Sequence, residues 1–368
     1  MLLAGACSSS DDAPLADAKP VVDNYIAIVH ASYDDTLREA QTLKTRIDAL
    51  VAAPDAASLE AAKQQWLAAR EPYALTESYR FYDGPIDDPD DGPEPRINAW
   101  PLDEVYIDYV EGDPDAGIIN HPVEFPTLTK ELLAAQNEKG GEKNIATGYH
   151  AIEFLLWGQD RSATGPGARP HTDYVVGGTA ANQDRRATYL ALVGELLVDD
   201  LSSVAVQWVP GESYAAELAA LPPEEAIRRM LQGLGALSGA ELSGERMATA
   251  LDNRDQEDEH SCFSDNTHRD LLNNATAIQN VYLGRYGSMD GPGLDELVRA
   301  RDPELDARMQ DQLAASIAAI QAIPVPFDQA IMNDDGRAKI LAAVRALRDQ
   351  TDTIVDVATL LDITINLE

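Results

Sequence analysis

At 368 residues, 45% of them hydrophobic, the chain has room for one large domain or two ordinary ones and builds a core without disulfide staples. Its 28 Lys and Arg stand against 63 Asp and Glu, and the resulting formal charge of −35 repels nucleic acid and anionic lipid while attracting cations. Nucleic-acid partners are excluded, although most of these carboxylates need be no more than a solvated surface.

The chain opens on Leu2-Leu3-Ala4-Gly5-Ala6-Cys7 and then Ser8-Ser9-Ser10. That run has the form of the end of a bacterial lipoprotein leader with Cys7 as its lipidated residue, without the basic start and most of the apolar run. The other reading is an unprocessed, flexible terminus. Cys262 is the second cysteine and is expected as a lone thiol. Residues 1–17 are expected as leader remnant and tether, 18–160 as a first helical bundle and 179–366 as a second, together one domain.

From Val21 to about Val51, the residues Val22, Ile26, Val29, Tyr33, Leu37, Leu43, Ile47 and Leu50 recur at helical spacing. A second helix, about Ser58 to Tyr82 with Ser58 as N-cap, sets Trp66, Arg70, Tyr73, Glu77 and Arg80 in one stripe. Its aromatic members read as core. Arg70 and Arg80 read either as a clamp on an anionic ligand or as simple partners of Glu77. Pro, Gly and Asp make residues 83–95 a loop, and the segment from Ile97 to Asp103 re-enters the fold from it.

A short helix over 122–136 ends before Gly140-Gly141, and Gly148-Tyr149-His150-Ala151-Ile152-Glu153-Phe154-Leu155-Leu156-Trp157-Gly158 follows. This run is apolar nearly all round, which predicts a buried helix and so a buried His150 and Glu153. Three residues apart, the two share a face with Cβ atoms roughly 5–6 Å apart, close enough to meet on one ion. A buried carboxylate is costly unless paired, hydrogen-bonded or bound to a metal. The alternative is a His–Glu hydrogen bond that braces the core. Gly148, costly inside a helix, predicts a close approach by some other group. A second loop spans 158–178, and helices are expected at 180–208, 223–251, 265–285, 302–322 and 336–362. Strand signals are nearly absent, so the fold class is all-α, with two packed helical bundles. No later segment has the uninterrupted apolar length of a membrane span.

Asp265 and His268 repeat the three-residue spacing near a helix start, and di-metal helical bundles build sites from such pairs and inward carboxylates. With Glu77 they would complete a cluster around His150 and Glu153. Ser264 or Asp265 also reads as a helix cap, Glu257-Asp258-Glu259 as a solvated run, and His260 as a secondary candidate. No phosphate-binding glycine loop, His-Glu-x-x-His or Gly-x-Ser-x-Gly motif occurs. Cys262 beside His260 and His268 is only a weak sign of a thiol nucleophile.

The run from Gly148 to Glu153 resembles the Gly-x-His-x-x-Glu signature of the imelysin-like proteins, with the resemblance extending from about Val22 to Leu361. Residues 66–81, 99–103 and 260–268 resemble the branch called iron-regulated protein A. The resemblance implies an all-helical fold of two bundles with His150 and Glu153 between them. It implies a periplasmic or outer-membrane lipoprotein of a Gram-negative bacterium, held at the membrane by its lipid anchor only and working in iron acquisition with a membrane transport partner. On this reading His150, Glu153, Glu77, Asp265 and His268 bind iron, or an iron-carrying ligand that Arg70, Tyr73, Arg80 and Asp103 contact. Zinc or copper suits the same donors. The rival is a metallopeptidase in which Glu77 or Asp265 acts as base, and a third reading is an interaction scaffold with a structural His–Glu pair.

Overall fold

Val22, Ile26, Val29, Tyr33, Leu43, Ile47 and Leu50 all face inward along α1 (Lys19–Ala52), as their spacing predicts. The computed structural model describes Leu15 and residues 18–367, so the expectations for Cys7 and the tether lie outside the described residues. Helix α2 (Ala56–Thr76) is capped by Asp55 rather than Ser58. The Asp55 carboxylate accepts the Ser58 N–H at 2.7 Å, and Ser58 Oγ accepts the Asp55 N–H at 3.0 Å. The reciprocal pair satisfies two donors at the helix start. Asp55→Ala is expected to lower stability, measured as a fall in the urea midpoint at unchanged slope.

Three short helices, α3 (Glu94–Ile97), α4 (Gly117–Asn120) and α5 (Lys130–Gln136), interrupt the irregular chain before α6 (Gly148–Trp157) and α7 (Gln183–Gln207). Next come α8 (Ser213–Ala220) and α9 (Pro223–Ala236), which runs straight into a π-helix (Leu237–Thr249) and α10 (Ala250–Asn253). The last elements are α11 (Thr267–Leu283), α12 (Leu294–Arg301), α13 (Pro303–Gln321), α14 (Phe327–Met332) and α15 (Asp334–Leu360). Among the described residues the only sheet is a two-residue hairpin, Arg285–Tyr286 against Met289–Asp290.

In the first set of helices α1 lies against α2 and α7, with α6 packed on both α2 and α7. In the second, α15 packs on α13 and the π-helix, and α11 packs on α13. The expected boundary at residue 179 would place α7 in the second set. Instead its apolar face, including Leu190, Val193 and Leu197, is spent on the first. The two sets meet where α2 packs on α11.

Two contacts fix α6 at that seam. The Trp66 indole N–H donates to Tyr149 O at 2.9 Å, tying the stripe of α2 to the start of α6. Gly148 takes φ +84°, and a Cβ there would stand 2.5 Å from Ile97 O. The close approach that the glycine predicts is therefore made by the backbone at the end of α3. Among the described residues no helix is long and apolar enough to cross a membrane.

Candidate metal centre

Every side chain of α6 is buried, His150 and Glu153 included. The carboxylate Oε2 lies 2.9 Å from His150 Nδ1, while Oε1 accepts both the N–H (2.9 Å) and the hydroxyl (2.6 Å) of Ser264. Glu153 thus joins its own helix to the loop before α11, and Ser264 serves as this anchor rather than as a helix cap. His150 Nε2 is buried and has no hydrogen-bond partner.

Facing His150 is His260, with ring centroids 4.9 Å apart. His260 Nδ1 sits 3.0 Å from Asp270 Oδ2, and the Ser261 hydroxyl donates to the same oxygen at 2.5 Å. Two His–carboxylate pairs, His150–Glu153 and His260–Asp270, therefore oppose each other across the seam, with the Trp100 ring 5.2 Å from His260.

Around them lies a closed polar network. Arg70 donates to Asp270 Oδ1 at 3.1 Å and to Asn98 Oδ1 at 2.6 Å, rather than pairing with Glu77. The Glu77 carboxylate is taken by Arg80 at 3.0 Å and by Arg246 of the π-helix at 2.6 Å. Arg80 also pairs with Glu94 at 3.0 Å. Tyr73 is buried against Tyr149 with its hydroxyl unpartnered. Asp103 stands apart, half-buried and capping a short turn through the Val105 N–H.

The second expected pair is the wrong one for this cluster. Asp265 and His268 are half-buried, and His268 Nδ1 is 3.0 Å from Asp265 O. Among the described residues no hydrogen bond, ion pair or ring contact joins either to His150 or His260. Their place is taken by His260 and Asp270, because α11 starts at Thr267 and turns Asp270 inward, one turn below the loop that carries His260. Asp270 and Arg246 escaped sequence reading. The available signal for Asp270 was its place on the apolar face of α11 with Leu271, Asn274 and Ile278; Arg246 gave none, since the π-helix shifts its register.

Burial governs the charges. It pushes Glu153 up to about 8, against the pull of Ser264 and Arg70, and pushes His150 down to about 3, with Arg70 adding to the effect. Burial would also raise Glu77 and Asp270, but Arg80 and Arg246 hold the first, and Arg70 and His260 the second, well below the usual range. Glu259, expected in a solvated run, is 2% exposed, and burial drives it well above the carboxylate range.

These directions fix a pH dependence. Glu77 and Asp270 contribute stability that is fully present above the carboxylate range and constant at neutral pH. Glu153 and Glu259 hold protons in the folded state that the unfolded chain releases near pH 4 to 5. From there toward pH 8 these two carboxyls keep protons that the unfolded chain has lost, while His150 and His260, held neutral by burial, give the opposite slope up to about pH 6.5, where the unfolded chain's imidazoles lose theirs. Above that range the carboxyls prevail, so urea unfolding in chelator is expected to show stability falling between about pH 7 and 8; a flat or rising profile there would contradict it.

Among the described residues no three His, Cys, Asp or Glu side chains are already grouped to hold a metal. What the cluster offers is two opposed imidazoles, each fixed through Nδ1 by a carboxylate, the arrangement in which metal-binding histidines are held.

The imelysin family model, named for peptidase M75, matches residues 29–354. The chain belongs to the imelysin family. It is 26% identical over 329 residues to iron-regulated protein A of Synechococcus elongatus, covering 89% of this chain and 82% of that protein. A crystal structure of an iron-regulated protein A precursor from Parabacteroides distasonis superposes with a TM-score of 0.73 at 22% identity. It covers 94% of this chain and 95% of that one, and establishes the shared all-helical fold.

Proposed function

We propose that this imelysin-family protein binds iron, or an iron-carrying ligand, through the Nε2 atoms of His150 and His260. The observation that carries the reading is His150 Nε2, buried and unpartnered while Nδ1 is held by Glu153. A buried polar atom without a partner costs free energy, and a metal ion relieves it. Glu153 and Asp270 act on this reading as orienting carboxylates rather than direct ligands. Glu77 joins only by exchanging an arginine for the ion; otherwise water or an oxygen carried by the ligand completes the shell. Imidazole with oxygen suits iron, and zinc or copper competes for the same nitrogens.

The iron assignment draws on the name of the Synechococcus relative. The Leu2–Cys7 run supports a lipid-anchored place in the bacterial envelope, from which cargo passes to a membrane transport partner. The same geometry disfavours the peptidase reading. Glu77, held ionised by two arginines, is a poor general base at neutral pH, and His150, at 2% exposure, is closed to a peptide chain.

The test is a titration of metal-stripped protein with iron(II) under anaerobic conditions, zinc and copper. One ion per chain is expected for the wild type, with loss of that event in His150→Ala combined with His260→Ala. Unchanged curves in the double variant would end the proposal.

A further inference from the structure

At the end of α6 away from His150 lies a buried guanidinium that is short of partners. Arg169 is packed against the rings of Tyr109 and Phe154, 5.1 and 5.3 Å from their centroids. Its Nη1 donates to Asp108 at 2.7 Å and to Asp173 at 3.3 Å. Its Nε is buried with no hydrogen-bond partner, and among the described residues Nη2 makes no hydrogen bond. One whole edge of the guanidinium is therefore unused. Gly158 faces that edge, since a Cβ there would stand 3.5 Å from Nε. A cavity of about 400 Å³ opens at the same place, walled by Tyr109, Trp157, Gly158, Pro166, Arg169 and Pro170. The two carboxylates in its lining are already engaged: Glu111 by Arg161 at 2.6 Å, and Asp160 by Gln256 Nε2 at 2.6 Å and the Ser162 N–H at 2.9 Å. The Lys63 ammonium lies 5.3 Å from the centre of the Trp157 ring and forms no hydrogen bond or ion pair among the described residues.

We propose that this cavity binds a small carboxylate with a flat apolar body, its two oxygens on the Nε and Nη2 edge of Arg169 and its ring against Trp157 and Tyr109. A buried donor without a partner costs free energy, and an acceptor brought by a ligand removes that cost. The free edge presents two parallel N–H groups, the fork that a carboxylate matches with both oxygens. The cavity has the size of a small-molecule site, and its wall joins aromatic rings and prolines to one aimed polar group. Charge agrees: Asp108 and Asp173 offset Arg169 and its neighbour Arg186, which leaves the Lys63 ammonium uncompensated beside the ring. Gly158 leaves the edge uncovered, where any side chain would lie on Nε. The ligand enters as the exposed residues 161–164 lift, which breaks only the Arg161–Glu111 pair, itself exposed at both ends. Beyond them the chain stays pinned by the Gly167 N–H on Phe263 O at 2.9 Å and the Arg169 N–H on Trp157 O at 2.7 Å. None of these residues touches the imidazole pair, so the site stands whether or not His150 binds a metal.

The experiment is calorimetric titration of the full chain, in chelator at neutral pH, with 2-naphthylacetate and with its neutral amide. The wild type and His150→Ala are expected to bind the carboxylate with a Kd of about 1 mM or tighter, and the amide at least about tenfold more weakly. Ala168→Trp, at an exposed position on the cavity wall, fills the space without touching Arg169 and should abolish binding. Lys63→Met keeps the apolar stem, removes the uncompensated charge and should weaken binding roughly twofold or more. Arg169→Lys keeps a cation for Asp108 but loses the forked edge, and should weaken binding roughly tenfold or more. Should that variant fail to fold, Ala168→Trp decides alone. No binding of 2-naphthylacetate to the wild type, equal affinity for acid and amide, or unchanged binding in Ala168→Trp would overturn the proposal.

Discussion

Gly148→Ala will destabilise the fold by about 3 kcal/mol or more, lowering the melting temperature by roughly 4 °C or more for a chain of this size. Two costs add. At φ +84° an L side chain is strained by about 1–2 kcal/mol, and the new Cβ would stand 2.5 Å from Ile97 O and 2.8 Å from Arg96 O. Both neighbours are backbone, so relief requires α6 to lift away from the end of α3. Gly177 provides the comparison: it has φ +77° and nothing within 4 Å, so Gly177→Ala should carry only the first cost. Equal losses in the two variants would show that the close approach at Gly148 contributes nothing. Because α6 carries His150, the Gly148 variant should also bind metal more weakly.

The second large effect is on binding. His150→Ala is expected to lower metal affinity by roughly 100-fold or more, since it removes the unpartnered Nε2. Glu153→Gln keeps the shape but weakens the hold on Nδ1, and should cost about 10- to 100-fold. His268→Ala and Asp265→Asn, which do not touch the imidazole pair, should change affinity by about twofold at most. Calorimetric titration with zinc, which needs no oxygen exclusion, reads all four. If His268→Ala costs as much as His150→Ala, the opposed pair has been assigned to the wrong histidine.

The legible parts of the sequence were those governed by local periodicity. The all-round apolarity of Ala151, Ile152, Phe154, Leu155 and Leu156 was enough to bury α6, and with it His150 and Glu153. The stripe from Trp66 to Arg80 holds as a row of inward residues, although the helix ends at Thr76 and a tight turn carries Glu77. The illegible parts depend on register across distance. Asp265–His268 and His260–Asp270 contain the same residue types, and only the start of α11 at Thr267 decides which pair turns inward. The partners of Glu77 followed the same pattern: Arg80 lies three residues away and was visible, whereas Arg246 arrives from 169 residues along the chain on a π-helix. Glu259 read as solvated because a run of acidic residues usually is, and its burial at 2% exposure is set by tertiary packing, which no local pattern encodes.

The central claim is that two carboxylate-braced imidazoles from opposite sides of the seam meet on one ion. X-ray absorption at the iron edge of the loaded protein counts those imidazoles directly. Two imidazole nitrogens in the wild type, falling to one in His260→Ala, is the predicted outcome. An iron shell made only of oxygen, or one unchanged by loss of His260, would contradict the account.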